Sequence, residues 1–162
     1  MNIFYKEHRV LLEALLKNRV EFILIGGYAV NYYGYNRVTG DMDIWIKPDN
    51  ENKERLLQSL SNLNFDEEGI SIIRSWDFTK PQIFQIGKEN QPDKTEFMTH
   101  ISGIGYDEAD KQKISAVLED LKLPIIYYHH LIQNKKATGR LKDENDVAYL
   151  EKIKRLKKGS ND

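Results

Sequence analysis

The chain has 162 residues, 40% of them hydrophobic and 30% charged, which is enough for one domain with its own core. It has no cysteine, which excludes disulfides, thiol catalysis and cysteine-ligated zinc. Its net charge of −1 excludes a uniformly basic surface, no apolar run approaches the roughly 18 residues that span a bilayer, and no secretory leader is visible, so a cytoplasmic protein with no membrane association is expected.

Residues 4–18 carry Val10, Leu11, Leu15 and Leu16 at helical spacing and predict a first helix that stops at Asn18. Residues 21–25 are short, apolar and β-favouring, a central strand closed by Gly26-Gly27. Residues 28–33 fit a short helix before Gly34. Residues 42–47 predict a second strand, with Met42, Ile44 and Ile46 on one side, Asp43 and Trp45 on the other, and Asp41 just before them. After Pro48, Asp49 or Asn50 caps a helix carrying Leu56, Leu57, Leu60 and Leu63. Residues 70–76 and 82–86 predict successive strands, and 95–98 another after a polar turn. Residues 107–121 are polar and mixed, a loop with some helix. Residues 125–128 predict a final strand, followed by helices over 129–137 and 142–157. The expected organisation is one domain over residues 1–158 and a flexible tail over 159–162.

Asp41 and Asp43 are two apart on the second strand, so both project from the same side. Two carboxylates held together repel unless a cation neutralises them. Hard oxygen ligands of this kind suit Mg²⁺ or Mn²⁺, which take further oxygens from substrate phosphates. Gly26 and Gly27 lie between a strand and a helix, where a backbone without Cβ atoms approaches a ligand closely and helix-start amides meet phosphate oxygens. The turn is neither a Walker loop nor a dinucleotide fingerprint, since Gly-Lys-Ser/Thr and G-x-G-x-x-G are both missing. Taken singly, each feature has a plain alternative: a surface pair of aspartates, or a tight turn that binds nothing.

The combination is more specific. Gly26-Gly27, a thirteen-residue spacer and Asp41-Met42-Asp43-Ile44 resemble the signature of the nucleotidyltransferase superfamily. Gly26, Gly27, Ala29, Arg37, Thr39, Asp41 and Asp43, followed near the C-terminus by Lys135, Gly139, Arg140, Lys142 and Asp143, resemble the small bacterial type IV abortive-infection toxin-like nucleotidyltransferases. The resemblance implies an α/β (α+β) nucleotidyltransferase fold, a mixed central sheet flanked by helices. It implies metal-dependent movement of a nucleoside monophosphate from an NTP to an acceptor hydroxyl on RNA, tRNA or protein, with an antitoxin protein as partner. Asp41, Asp43 and a third carboxylate would hold Mg²⁺ or Mn²⁺ and carry the catalysis. The third carboxylate falls on Glu96, where many relatives have aspartate, with Asp93 in reserve. Gly26, Gly27, Arg37, Thr39, Arg140 and Lys142 would hold the nucleotide, with Lys135 a weaker candidate. Arg140 and Lys142 stand where cations oppose a helix dipole, and Asp143 offers a compensating carboxylate.

Two rival readings remain open. One is a catalytically weak or inactive binding protein on the same fold, favoured by the glutamate at 96. The other is an enzyme that modifies a small antibiotic molecule. Tyr28, Tyr32, Tyr33 and Tyr35 either stack a base or, more simply, pack a short helix. His129-His130 project apart without zinc-type partners, and His100 has no assigned role. Lys152, Lys154, Arg155, Lys157 and Lys158 mark either a nucleic-acid patch or, more simply, the solvated end of the last helix.

Overall fold

The computed structural model describes residues 4–35, 40–87, 91 and 93–160. In chain order the elements are α1 (Lys6–Lys17), β1 (Phe22–Ile25), α2 (Gly26–Tyr32), β2 (Met42–Ile46), α3 (Asn50–Asn62), α4 (Glu67–Arg74), β3 (Ile83–Ile86), β4 (Thr95–Met98), α5 (Tyr106–Gln112), β5 (Ile114–Leu118), β6 (Leu121–Ile125), α6 (Tyr128–Thr138) and α7 (Leu141–Ser160). The six strands form one mixed sheet in the order β3-β4-β2-β1-β6-β5. β1 pairs antiparallel with β2 and parallel with β6, β2 pairs parallel with β4, and the outer pairs β3–β4 and β5–β6 are antiparallel. No helix among the described residues is long and apolar enough to cross a membrane.

All four residues of β1 are buried, as the continuous apolar run required of a strand covered on both faces. Leu11, Leu12 and Leu15 give α1 its buried stripe, while Val10 lies off it at 39% exposure. Asn52 on α3 ties the two central strands together. Its side chain accepts from the Glu21 backbone N–H (2.8 Å) and donates to the Glu21 (2.8 Å) and Lys47 (3.2 Å) carbonyls. Asp49 caps α3 by accepting from the Asn52 backbone N–H at 2.6 Å. Asp49→Ala is therefore expected to cost about 1 kcal/mol and to lower the melting temperature by roughly 2–4 °C in a thermal melt followed by circular dichroism.

The structure corrects three predicted elements. Residues 70–76 lie in α4 and the turn after it, not in a strand: Asp66 accepts from the Gly69 N–H (2.6 Å), and Glu67 and Glu68 sit in the first turn, where the helix dipole favours them. Residues 107–121 hold α5 from its second residue, the whole of β5 and the first residue of β6. The last strand, β6, ends at Ile125 and contains Pro124, so it begins four residues before the predicted start. Glu119 and Asp120, both at positive φ (47° and 68°), form the two-residue turn between β5 and β6. The helix after β1 also starts earlier than predicted, at Gly26 itself.

Candidate active site

Asp43 lies in the middle of the sheet. It is level with Ile25 on β1 and with Glu96 on β4, so the register alone puts two carboxylates side by side across neighbouring strands. Burial pushes the Asp43 carboxyl up to about 6, and the charges of Glu96 and Asp41 add to the shift, while Lys135 and Lys142 oppose it. The site thus carries more negative charge than its own cations neutralise. Asp41 is more exposed, with its Oδ2 3.7 Å from the Lys94 Nζ. Trp45, on the same side as Asp43, is fully buried, and its ring N–H donates to the Thr99 carbonyl at 2.9 Å.

Gly26 is needed where it stands. Its φ is +67°, and a Cβ there would fall 2.0 Å from Asp43 Oδ2. Only glycine lets the end of β1 pass against that carboxylate. Behind the turn, buried His8 hydrogen-bonds Tyr28 Oη (2.8 Å) and the Lys94 carbonyl (3.2 Å). Burial lowers the His8 pKa, so a neutral imidazole ties α1 both to the glycine turn and to the residue before β4.

Gly26, Gly27, Gly40, Asp41, Asp43 and Glu96 line one cleft of about 820 Å³, together with Lys135, Thr138, Arg140, Lys142 and Asp143. The C-terminal group is a built unit. Lys135 Nζ, 5% exposed as a residue, pairs with Asp143 (3.0 Å) and Asp146 (2.8 Å), both 2% exposed. Asp143 also accepts from the Thr138 hydroxyl (2.6 Å) and from Arg140 Nε (2.8 Å). Burial alone would raise the Asp143 carboxyl, but the hydrogen bonds from Thr138, Lys135 and Arg140 outweigh it and hold the group down at about 2. Gly139 at φ +68° closes α6 with a left-handed cap, turning the chain so that α7 can return these carboxylates to Lys135. Asp143 thus compensates Arg140 as the sequence suggested, and the Arg140 side chain stays 73% exposed.

The cleft also contains residues that carried no predicted role: Ile83, Met98, His100, Ile101, Ser102 and Asn134. Met98 and His100 could be found by carrying the strand alternation on from Glu96, whereas Ile83 arrives only through the pairing of β3 with β4, where it is level with Met98. Arg37 and Thr39 lie outside the described residues. Asp93 does not line the cleft and acts on buried His8 instead. Tyr28 is buried, the Tyr33 hydroxyl donates to the Ile126 carbonyl (2.6 Å), and Tyr35 stacks on Tyr149 at 4.4 Å, so these three tyrosines pack the fold.

The donor set suits a small divalent cation: oxygen ligands only, with uncompensated charge at Asp43. Among the described residues no three carboxylate or imidazole groups form a ready-made cage. Mg²⁺ does not require one, since it commonly binds one or two carboxylates and completes its shell with water and substrate phosphates.

No protein-family model matches the chain, and no curated protein matches it in sequence. Solved structures do match. A lincosamide antibiotic adenylyltransferase, crystallised with lincomycin bound, aligns with a TM-score of 0.59 and 16% identity over 94% of this chain and 99% of that one. A candidate nucleotidyltransferase from Thermotoga maritima aligns with a TM-score of 0.54 and 16% identity over 99% of this chain and 96% of that one. The chain has the nucleotidyltransferase fold.

Proposed function

We propose that this protein is a metal-dependent nucleotidyltransferase that moves a nucleoside monophosphate from an NTP to an acceptor hydroxyl, with residues 1–158 acting as one domain in the cytoplasm. The observation that carries this reading is the pairing of Asp43 with Glu96 in register, at a cleft where Gly26 is pressed against the same carboxylate. Asp41, Asp43 and Glu96 would hold Mg²⁺ or Mn²⁺. When bound, the cation supplies charge stabilisation for the attacking and leaving oxygens of an in-line displacement. Gly26 and Gly27 offer bare backbone to the triphosphate. Arg140 and Lys142 supply cations, with Arg37 and Thr39, which precede β2 in the sequence, as further candidates. Lys135 is locked by Asp143 and Asp146, so it enters as a fixed charge with little freedom to lose. Positioning and electrostatics do most of the work in such a transfer.

The finer form of the proposal is a toxin of a toxin–antitoxin pair that acts on RNA, tRNA or protein and is restrained by an antitoxin protein. Its support is the Lys135, Gly139, Arg140, Lys142, Asp143 series, of which Lys135, Arg140 and Asp143 are joined in one hydrogen-bonded unit beside the cleft. A small-molecule acceptor is the second reading, favoured by the apolar wall that Ile83 and Met98 add to the cleft. The fold neighbour that binds lincomycin is of this kind.

Titration calorimetry of NTP with the wild type and an Asp41→Ala/Asp43→Ala protein tests the binding step. Saturable binding that needs Mg²⁺ and vanishes in the variant supports the reading, and metal-independent binding in both opposes it. Arg140→Gln is expected to raise the KM for NTP about tenfold, the value of one charge-assisted hydrogen bond to phosphate. It should barely move the melting temperature, because Asp143 keeps Lys135 and Thr138. A steady-state titration of NTP with a parallel thermal melt checks both.

A further inference from the structure

β5 is an edge of the sheet. Its strand neighbour is β6, and the pairing from Ile114↔Ile125 to Leu118↔Leu121 runs without a bulge. The outer row of backbone N–H and C=O groups on β5 therefore has no strand to bond. Natural chains commonly guard such an edge with a charge, a proline, a bulge or a covering element. β5 is Ile-Ser-Ala-Val-Leu, with neither charge nor proline, and among the described residues no element besides β6 packs along it. Its core side is apolar: Ala116 is buried, and Ile114 and Leu118 are half-buried against the core. On its other side Ser115 is exposed and Val117 is 70% exposed. The charges of the segment are split between its two ends. Lys111 and Lys113 precede the strand, and Glu119 and Asp120 follow it. Lys113 and Glu119 also pair within the chain, with Asp110 and Arg9, while Lys111 and Asp120 are exposed.

We propose that the β5 edge binds a second copy of this chain, strand against strand and antiparallel, so that the two sheets join across a twofold axis at Ala116. A strand that is basic at its start and acidic at its end is its own complement when reversed. Each basic end then meets the acidic end of the other copy, twice in one interface. The register is fixed by alternation. A twofold axis perpendicular to the sheet keeps core side on core side, and a slip of one residue would break that match. Full overlap with the match preserved sets Ala116 opposite itself, Ser115 opposite Val117, and Ile114 opposite Leu118. The half-buried Ile114 and Leu118 gain an apolar neighbour across the seam, and the outer backbone groups gain a ladder. β6 and β1 stand between β5 and the strands that carry Asp43 and Glu96. The inference therefore goes beyond nucleotidyl transfer and needs neither NTP nor metal.

Sedimentation equilibrium of the purified chain in EDTA, from about 1 to 200 µM, tests it. Strands of five residues make a small interface, so a reversible monomer–dimer equilibrium within this range is expected. Ser115→Lys/Val117→Lys sets lysine opposite lysine at two places in the dimer, at positions already exposed in the monomer. It should weaken association at least about tenfold and leave the melting temperature of the dilute protein unchanged. Lys111→Glu/Lys113→Glu should also weaken it. Added KCl should then strengthen association of that variant while weakening that of the wild type, because salt screens repulsion in one and attraction in the other. The chain has no cysteine, so introduced thiols report the register. Mild oxidation of a mixture of Ser115→Cys and Val117→Cys proteins should join one copy of each, since facing residues lie about 5 Å apart, within reach of a disulfide. Either protein alone should cross-link far less, because like positions are offset by two strand steps, about 7 Å. A monomer at every concentration, a dimer that the facing lysines leave intact, or cross-linking of either protein alone as strong as in the mixture would overturn the proposal.

Discussion

Asp43→Asn should make the metal-free protein more stable at pH 7.5 while abolishing its proposed activity. The sign follows from the direction of the shift. Asp43 titrates near 3.8 in the unfolded chain and at about 6 in the fold, first because it is buried and then because Glu96 and Asp41 repel its charge. Between these values the native state holds the proton and the unfolded state has released it. Stability therefore falls as pH rises through that window, and the full penalty is present above it. At about 1.4 kcal/mol per unit the ionised carboxylate costs about 2 to 3 kcal/mol. Asparagine keeps the shape and removes the charge, so in EDTA its melting temperature should exceed that of the wild type by roughly 5–10 °C at pH 7.5. The difference should shrink towards zero at pH 4. The same variant should lose at least about 100-fold in transfer rate, as when a group that stabilises transition-state charge is removed. Paired melts from pH 4 to 8 check the first statement. Parallel wild-type and variant curves would show that Asp43 carries no such penalty.

Gly26→Ala should cost both stability and rate, and through one contact. An L-residue at φ +67° pays about 1–2 kcal/mol for the left-handed backbone. The new Cβ would also stand 2.0 Å from Asp43 Oδ2, 2.8 Å from its Cγ and 2.9 Å from its Cβ. Turning the carboxylate cannot relieve all three, so the strand end or Asp43 must move. A total loss of about 3 kcal/mol is expected. A displacement near 1 Å at the carboxylate is expected to lower kcat about 100-fold. In an Asp43→Ala background the steric part shrinks and little more than the backbone cost should remain, a coupling that a double-mutant cycle in urea measures. Additive losses in that cycle would show that the glycine is required for the turn alone.

Much of the site was legible because its residues are close in sequence. Gly26, Gly27, Asp41 and Asp43 fall within eighteen residues, and strand alternation put the aspartates on one side. Glu96 was reachable by resemblance, but its place beside Asp43 comes from a parallel pairing of residues 53 positions apart that no local pattern carries. The Lys135–Asp143–Asp146 cluster was half legible. Asp143 was marked as a partner, while Asp146 needed the angle between α6 and α7. The misread elements share a cause, a local signal that points the wrong way. Ile70, Ile72 and Ile73 read as β-branched strand residues, yet α4 buries only Ile70 and leaves Ile72 51% exposed, and the decisive signal was the Asp66 cap. β5 was hidden because Glu119-Asp120 makes a hairpin turn without the usual Asn-Gly or Asp-Gly.

The most direct measurement is label transfer. Wild type and Asp41→Ala/Asp43→Ala protein are incubated with Mg²⁺ and either α-labelled or γ-labelled NTPs, in the presence of total tRNA, a protein extract or a panel of hydroxylated small molecules. Label from the α-phosphate should reach one acceptor class with the wild type alone, and γ-label should leave as pyrophosphate and reach none. Transfer of γ-label, or α-label transfer that survives loss of both aspartates, would contradict nucleotidyl transfer at this cleft.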